Sequence, residues 1–495
     1  MDIDKTNTRH SIMHKRHSLR KRALPGLLLL AGAAFSYASP AEAATVAPGD
    51  GRGARTFHVD PANDGDMADG CRERPFRMLA DLDGMQFRPG DSILLSGAGT
   101  LEGRIRVSGV KATPEAPVVI TSYKGGRAEI LSGESSAITV EDCEHIHIKD
   151  VAVKGKGRKE GNKGSGIEVT DSRHVRIEHA EASGYLMNGI GVTGGEDIRI
   201  AHSYAHDNGF NGIEVTGRPG GDSVRNVYVG YCIAENNPGC PAITDNHSGS
   251  GILLGYVRHA LVEYCEAMEN GWDMPRPGNG PVGIWGYEAD HLTIQYCYSH
   301  DNKTSPNGYD GGGFDFDGGI TNSVMQYNLS MNNEGAGYGL FQFGGAGAWS
   351  DNVMRYNVSI NDGWKYSHAG IFVWCAPEHK DSPLCNTLVH DNLVVNESHS
   401  IAFSSPYASG LEFADNKFLL TGTGMEHFHG DDLKSLSSYK GNRYWSQKAE
   451  RDGSPQPREP LDGEAVYGKI SYSLPGRIDI VRIKGIVSDL IFGKD

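Results

Sequence analysis

The segment Asp310-Gly-Gly-Gly-Phe-Asp-Phe-Asp-Gly-Gly319 places three carboxyl groups within eight residues. Its Phe-Asp-Phe-Asp alternation is the pattern of a strand with one buried face. With Phe314 and Phe316 turned inward, Asp315 and Asp317 leave the other face together, their Cα atoms ~6.5–7 Å apart. Carboxylates held that close repel, so one pKa is expected to rise while the other stays low. Hydrolysis of a glycosidic bond needs that split: one carboxyl protonates the leaving oxygen and the other attacks or activates water. Asp310 reads either as a third member or as an ordinary turn residue. The same Asp315 and Asp317 pair also suits a Ca²⁺ ion; no other metal or cofactor is expected.

A strand ~4.8 Å away would carry Trp285 and Tyr287 at the equivalent outward positions, and Trp272, Tyr309, Trp364, Tyr366 and Trp374 lie in the same stretch. Aromatic faces beside carboxylates suit sugar rings, whose C–H faces stack on them. Further substrate-contact candidates are Glu288, Gln342, Lys365 and His368, and Asp245-Asn-His247 on the longest loop shapes a subsite. Glu288 also reads as a solvated bend residue, and Lys365 and His368 as loop residues without a role. The direction of Gln342 is open: alignment on Gly339 turns it inward, and alignment of Phe-Gln-Phe with Phe-Asp-Phe turns it outward.

The elements that would position these residues come from a repeat. Segments such as Val227-Tyr-Val-Gly-Tyr-Cys232, Leu292-Thr-Ile-Gln-Tyr-Cys297, Ser323-Val-Met-Gln-Tyr-Asn328 and Asn352-Val-Met-Arg-Tyr-Asn357 align on their last residue. The resulting column runs from Val151 to Asn416 in steps of about 29 residues, too long for hairpins and without helical patterns between. A second column, Gly166-Ile-Glu-Val through Gly283-Ile-Trp-Gly, Gly313-Phe-Asp-Phe and Gly370-Ile-Phe-Val, adds at least one more strand per turn. Stacked turns of this kind make an all-β fold, a right-handed parallel β-helix of about ten coils. Asn328, Asn357, Asn392 and Asn416 then form a ladder of side-chain amides inside a bend.

Loop lengths locate the functional corner. Extra residues accumulate between the first and second strands, at Asn236–Ser250, Asn270–Val282, Asn302–Gly312 and Asn361–Ala369. Stacked at one corner, they would wall the second-column sheet into a groove, and such loops are where catalysis usually lies.

Residues 1–43 read as a secretory signal peptide: a basic start, an apolar Leu27 to Ala38 and the small-x-small Ala41-Glu42-Ala43. That segment implies a secreted or periplasmic protein. It holds seven of the 47 Lys and Arg and three of the 62 Asp and Glu. The remainder has a net charge of −19, which repels nucleic acid and anionic membranes. Residues 44–110 are expected to form an N-terminal cap with the first strands and an amphipathic helix from Pro75. Residues 111–446 form the β-helix, and residues 447–495 a linker with a small C-terminal β tail. Of the eight cysteines, Cys232, Cys265 and Cys297 share one column position and read as buried thiols. Cys375 and Cys385 are the best disulfide pair.

With Val59-Asp-Pro61, Pro89-Gly-Asp91, the coil repeats, the Asp310–Gly319 segment and Gly441-Asn-Arg-Tyr-Trp-Ser446, the chain resembles the secreted parallel β-helix carbohydrate-active enzymes of bacteria over roughly residues 56–446. The resemblance implies a glycoside hydrolase or a polysaccharide lyase acting on a poly- or oligosaccharide, without choosing between them. A hydrolase would use Asp315 and Asp317 as acid and nucleophile or base. A Ca²⁺-dependent lyase of uronic-acid polymers would use the pair as ligands and Lys365 as the base, against which the acidic charge counts. A non-catalytic glycan-binding solenoid is the third reading.

Overall fold

The computed structural model describes residues 53–492 except 66, 160–161, 366–368, 423–424, 431–436, 447–464 and 468–477. The expected signal peptide, His368, Tyr366 and most of the linker therefore lie outside the described residues. All described residues belong to one compact unit, Val46–Asp495.

Every strand pair joins the same element of consecutive coils in parallel, which makes the fold a parallel β-helix. Each typical coil has three strands, one more than the two repeat columns mark. One coil runs Val282–Tyr287, then Asp290–Gln295, then Tyr298–His300, and its neighbour begins at Gly312–Asp317. The third strand of three residues follows the bend that ends each repeat segment. The residue before each column member, from His202 and Tyr231 through Tyr264, Tyr296, Tyr327 and Tyr356, has φ between 51° and 56°. That left-handed turn reverses the inward and outward phase, and it strains a bulky side chain. The rings offset the strain by stacking along the fibre direction, Tyr231 on Tyr264 at 4.9 Å and Tyr327 on Tyr356 at 4.9 Å.

The third-strand sheet has 14 members. Ten follow the column from Val151 to Asn416. The other four are Thr100–Glu102, Ala128–Gly133, Arg443–Ser446 and Ala465–Tyr467, where the repeat motif is absent but the stacking continues. Coil stacking already begins with Thr56–Val59 paired to Ser92–Ser96, so the stack starts well before residue 111. The amphipathic helix expected from Pro75 is a single 3-10 turn, Leu79–Leu82, whose two leucines are buried. The Asp81 carboxylate accepts the Arg77 and Met78 N–H groups there, and the turn goes no further.

Two buried amide ladders fix the coil register. The expected one runs Asn328, Asn357, Asn392, Asn416 and continues one coil further to Asn442, each Nδ2 donating to the next Oδ1 at 2.9–3.0 Å. A second runs Asn208, Asn237, Asn270, Asn302, Asn333 and ends on Asp362. Cys232, Cys265 and Cys297 form the expected buried stack, and each thiol points at a carbonyl of its own bend. All eight cysteines are thiols; Cys375 and Cys385 form no disulfide.

The tail expected as β carries a helix, Ile483–Phe492. Ile483, Val487 and Ile491 recur every four residues, which is one helical face, and they are buried against Leu329, Val358 and Val395 of the third-strand sheet. No described helix is long and apolar enough to cross a membrane.

Candidate active site

The site is built on the outer face of the second-column sheet. Register pairs Ile284, Phe314, Tyr338 and Ile371 across four coils, all with buried side chains. Their outward neighbours are Trp285, Asp315, Gly339 and Phe372, followed two residues later by Tyr287, Asp317, Phe341 and Trp374. Loops from three preceding coils rise beside this face and bring His247, Gly280, Tyr309 and Asp310 over it. Together they enclose a cavity of about 740 Å³ that also exposes Asp315, Asp317, Trp285 and Trp374 to its interior. Residues of the first three of the four long loop segments line the cavity; the fourth lies partly outside the described residues.

Three carboxyl groups thus share one cavity, and among the described residues its lining includes no Lys or Arg. Asp315 is only 3% exposed, and its Oδ1 is buried without a hydrogen bond among the described residues. Burial, then repulsion from Asp317 and Asp310, pushes its pKa far above the carboxylate range. Asp317 is pushed up to about 8 by burial and by the charges of Asp310 and Glu288. The expected split within the Asp315 and Asp317 pair therefore does not occur. Both rise, because desolvation acts on both and no cation or N–H compensates either.

Asp310 is different. Burial raises it to about 6, but the Gly280 N–H donates to its Oδ2 at 2.6 Å and Arg276 attracts its charge. It sits on the wall with φ 60°, held over the sheet by the loop glycines. The low member of the cluster is this residue. His247 lies edge-on to Trp285 at 4.9 Å, with its Nδ1 buried and without a hydrogen bond among the described residues. Burial pushes its pKa down to about 4, so the ring is neutral.

Several expected contacts lie elsewhere. Gln342 faces the core and is fully buried; it accepts from Gly319 N–H and donates to the Gly347 carbonyl. The alignment on Gly339 is the correct one, and the residue does not face substrate. Lys365 is a strut: its Nζ donates to the carbonyls of Thr304 and Ser305 and to Glu334 at 2.9–3.1 Å. It is not among the described residues that line the cavity. Glu288 lies in a bend and is partly exposed, where its carboxylate accepts the Gly347 N–H; its charge acts on Asp317. Trp364 is 58% exposed and outside the cavity lining. Tyr287 stacks behind Trp285 at 5.6 Å. Among the described residues, no group of three or more His, Cys, Asp or Glu side chains is arranged to hold a metal ion.

Phe341, Phe343, Phe372 and His429 were not anticipated, although they line the cavity. Phe341 and Phe372 follow from the register of the Asp column extended by one and two coils; Phe343 and His429 have no comparable signal.

The family model for a right-handed beta helix region matches residues 242–418, a stretch that includes all three cavity aspartates. No curated protein matches significantly in sequence. A GH136 lacto-N-biosidase from Eubacterium ramulus superposes with a TM-score of 0.55 at 17% identity, over 74% of this chain and 68% of that one. The catalytic domain of a GH87 alpha-1,3-glucanase superposes at 0.50 and 11%, over 71% of this chain and 65% of that one. A mannuronic acid specific family 6 polysaccharide lyase from human gut microbiota gives 0.49 and 14%, over 83% and 91%. At such identities the likeness is one of fold, and these neighbours are carbohydrate-active enzymes of both hydrolase and lyase type. The chain is a right-handed parallel β-helix protein, similar in fold to the lacto-N-biosidase and the alpha-1,3-glucanase domain.

Proposed function

We propose that the protein is a glycoside hydrolase acting on an oligo- or polysaccharide or another glycoside. The observation that carries this reading is the cavity itself: three desolvated carboxyl groups with aromatic walls and, among the described residues, no lining cation. A glycosidase needs one carboxyl that keeps its proton near neutrality and one that loses it. The Asp315 and Asp317 pair, both raised, supplies the proton to the departing glycosidic oxygen. Asp310, held lower by Gly280 and Arg276, is the carboxylate that attacks the anomeric carbon or activates water. Trp285 offers a ring face to the sugar, and neutral His247 offers a hydrogen-bonding nitrogen. The missing lining cation also disfavours a uronic-acid substrate, whose carboxylate would meet only like charge.

The N-terminal basic and apolar pattern supports export, which suits an extracellular glycan substrate. The test is a screen of neutral and uronic polysaccharides and aryl glycosides, with reducing ends and absorbance near 235 nm read together. New reducing ends without that absorbance, insensitive to EDTA and abolished in Asp310→Asn and Asp315→Asn, are expected. Absorbance that disappears with EDTA would overturn the hydrolase in favour of a lyase.

A further inference from the structure

The cavity has two chemically different ends. Beyond Asp315 and Asp317 the outward positions become Gly339 and Phe341, then Phe372 and Trp374. Phe341 and Phe372 meet edge to face, with ring centroids 5.3 Å apart and planes at 78°. Phe343 adds a third phenyl ring to the same cavity. All four aromatic residues are half-buried on an outer sheet face, where a solenoid coil ordinarily carries polar side chains.

A pyranose ring stacks well on one Trp or Tyr, but its hydroxyl groups each need a hydrogen-bonding partner when water leaves. Among the described residues, the lining across these two coils offers three phenyl rings and a single indole N–H. Among the described residues, polar side chains return with Ser404 and His429, one and two coils further on. A second sugar seated here would bury hydroxyls without partners. An apolar group would instead displace water from surface that gains nothing from it.

We propose that this end binds an apolar aglycone, aryl or alkyl, so that the substrate is a glycoside with its sugar at the carboxyl cluster and an apolar group on the phenylalanine floor. The proposal rests on the glycosidase reading above, and it names the substrate class for that site.

The test compares methyl, phenyl and n-octyl pyranosides of glucose, galactose and N-acetylglucosamine in both anomers. Binding is read by tryptophan fluorescence below the octyl micelle concentration, since Trp285 and Trp374 line the cavity. Phenyl or octyl members are expected to bind at least tenfold tighter than the methyl member, and which of the two leads separates an aryl from an alkyl site. Phe372→Ser and Phe341→Ser should each erase most of that advantage, whereas Trp364→Ser, outside the cavity, should keep it. Equal affinity within every set, or an advantage indifferent to both Phe variants, overturns the proposal. Methyl and octyl glycosides have leaving groups of nearly equal pKa, so turnover of the same pair separates aglycone binding from bond chemistry. Apolar-selective binding without turnover of any glycoside would leave the apolar site standing and remove the hydrolase.

Discussion

Gly339 lies directly opposite Asp315 in the register of adjacent coils, and a Cβ placed on it would come within 2.7 Å of the Asp315 Oδ1 and 2.9 Å of the Phe341 ring. The missing side chain leaves space beside the carboxyl whose Oδ1 has no hydrogen-bond partner among the described residues. Nothing in the backbone conformation requires glycine there, since its φ is not in the left-handed region. Gly339→Ala should therefore keep the coil fold but displace the Asp315 carboxyl or the Phe341 ring, and lose on the order of 10²-fold in kcat/KM, the scale of misplaced reacting groups. A circular-dichroism melt beside a rate measurement checks both halves. Full activity in the variant would mean that the reaction does not need the space at Gly339.

The pH profile follows from the same carboxyl groups. Asp310 must be ionised to act, so activity rises as pH passes about 6. The proton on the Asp315 and Asp317 pair must be present, so activity falls as pH passes about 8. A bell between those limits is expected in kcat/KM, with apparent values that belong to the coupled cluster. Asp317→Asn removes one charged neighbour, and its alkaline limb should move measurably. An alkaline limb that stays fixed in that variant would assign the proton to another group.

How much of this was readable beforehand depended on whether a feature repeats. Alternation of Phe314, Asp315, Phe316 and Asp317 and the Gly-Ile-x-Val column determine which side chains face out, because a strand offers only two faces. The shared position of Cys232, Cys265 and Cys297 and the amide column were visible for the same reason. The three-residue third strand was not, because Tyr298–His300 is too short to show a period. The split of Asp310 from the other two carboxyls depends on a backbone N–H from Gly280, 30 residues away, and no spacing rule predicts that contact. Lys365 looked like a base because its partners, Glu334 and two carbonyls, lie one and two coils back. The helix from Ile483 did carry its four-residue period, but in ten residues that signal is weak beside a long β pattern.

Stability should also vary with pH through these groups. A carboxyl whose pKa is raised on folding binds more protons in the native than in the unfolded state, so its contribution is intact below about pH 4 and lost as pH rises through the native value. For Asp317 that window runs from the ordinary 3.8 to about 8. The wild type should melt several degrees lower at pH 8.5 than at pH 5, and Asp317→Asn, which never ionises, should recover a good part of that loss at pH 8.5 with no gain at pH 4. Parallel Tm curves for the two proteins would show that Asp317 is not desolvated in the native state.

Lys365 offers a direct contrast between a strut and a catalytic base. Its Nζ and the Glu334 carboxylate are 2.9 Å apart, with side chains 19% and 14% exposed, and the lysine also ties the loop at Thr304 and Ser305 to a coil two steps on. Removing one partner of a largely buried pair costs roughly 3 kcal/mol, because the other charge is stranded. Lys365→Met should therefore lower Tm and raise KM by loosening the wall that carries Asp310. Pairing it with Glu334→Gln removes the stranded charge and should restore most of the Tm. A catalytic base would behave otherwise: kcat would collapse in Lys365→Met at unchanged Tm, and the second substitution would rescue nothing. Measuring Tm, KM and kcat across the four proteins of that cycle separates the two roles.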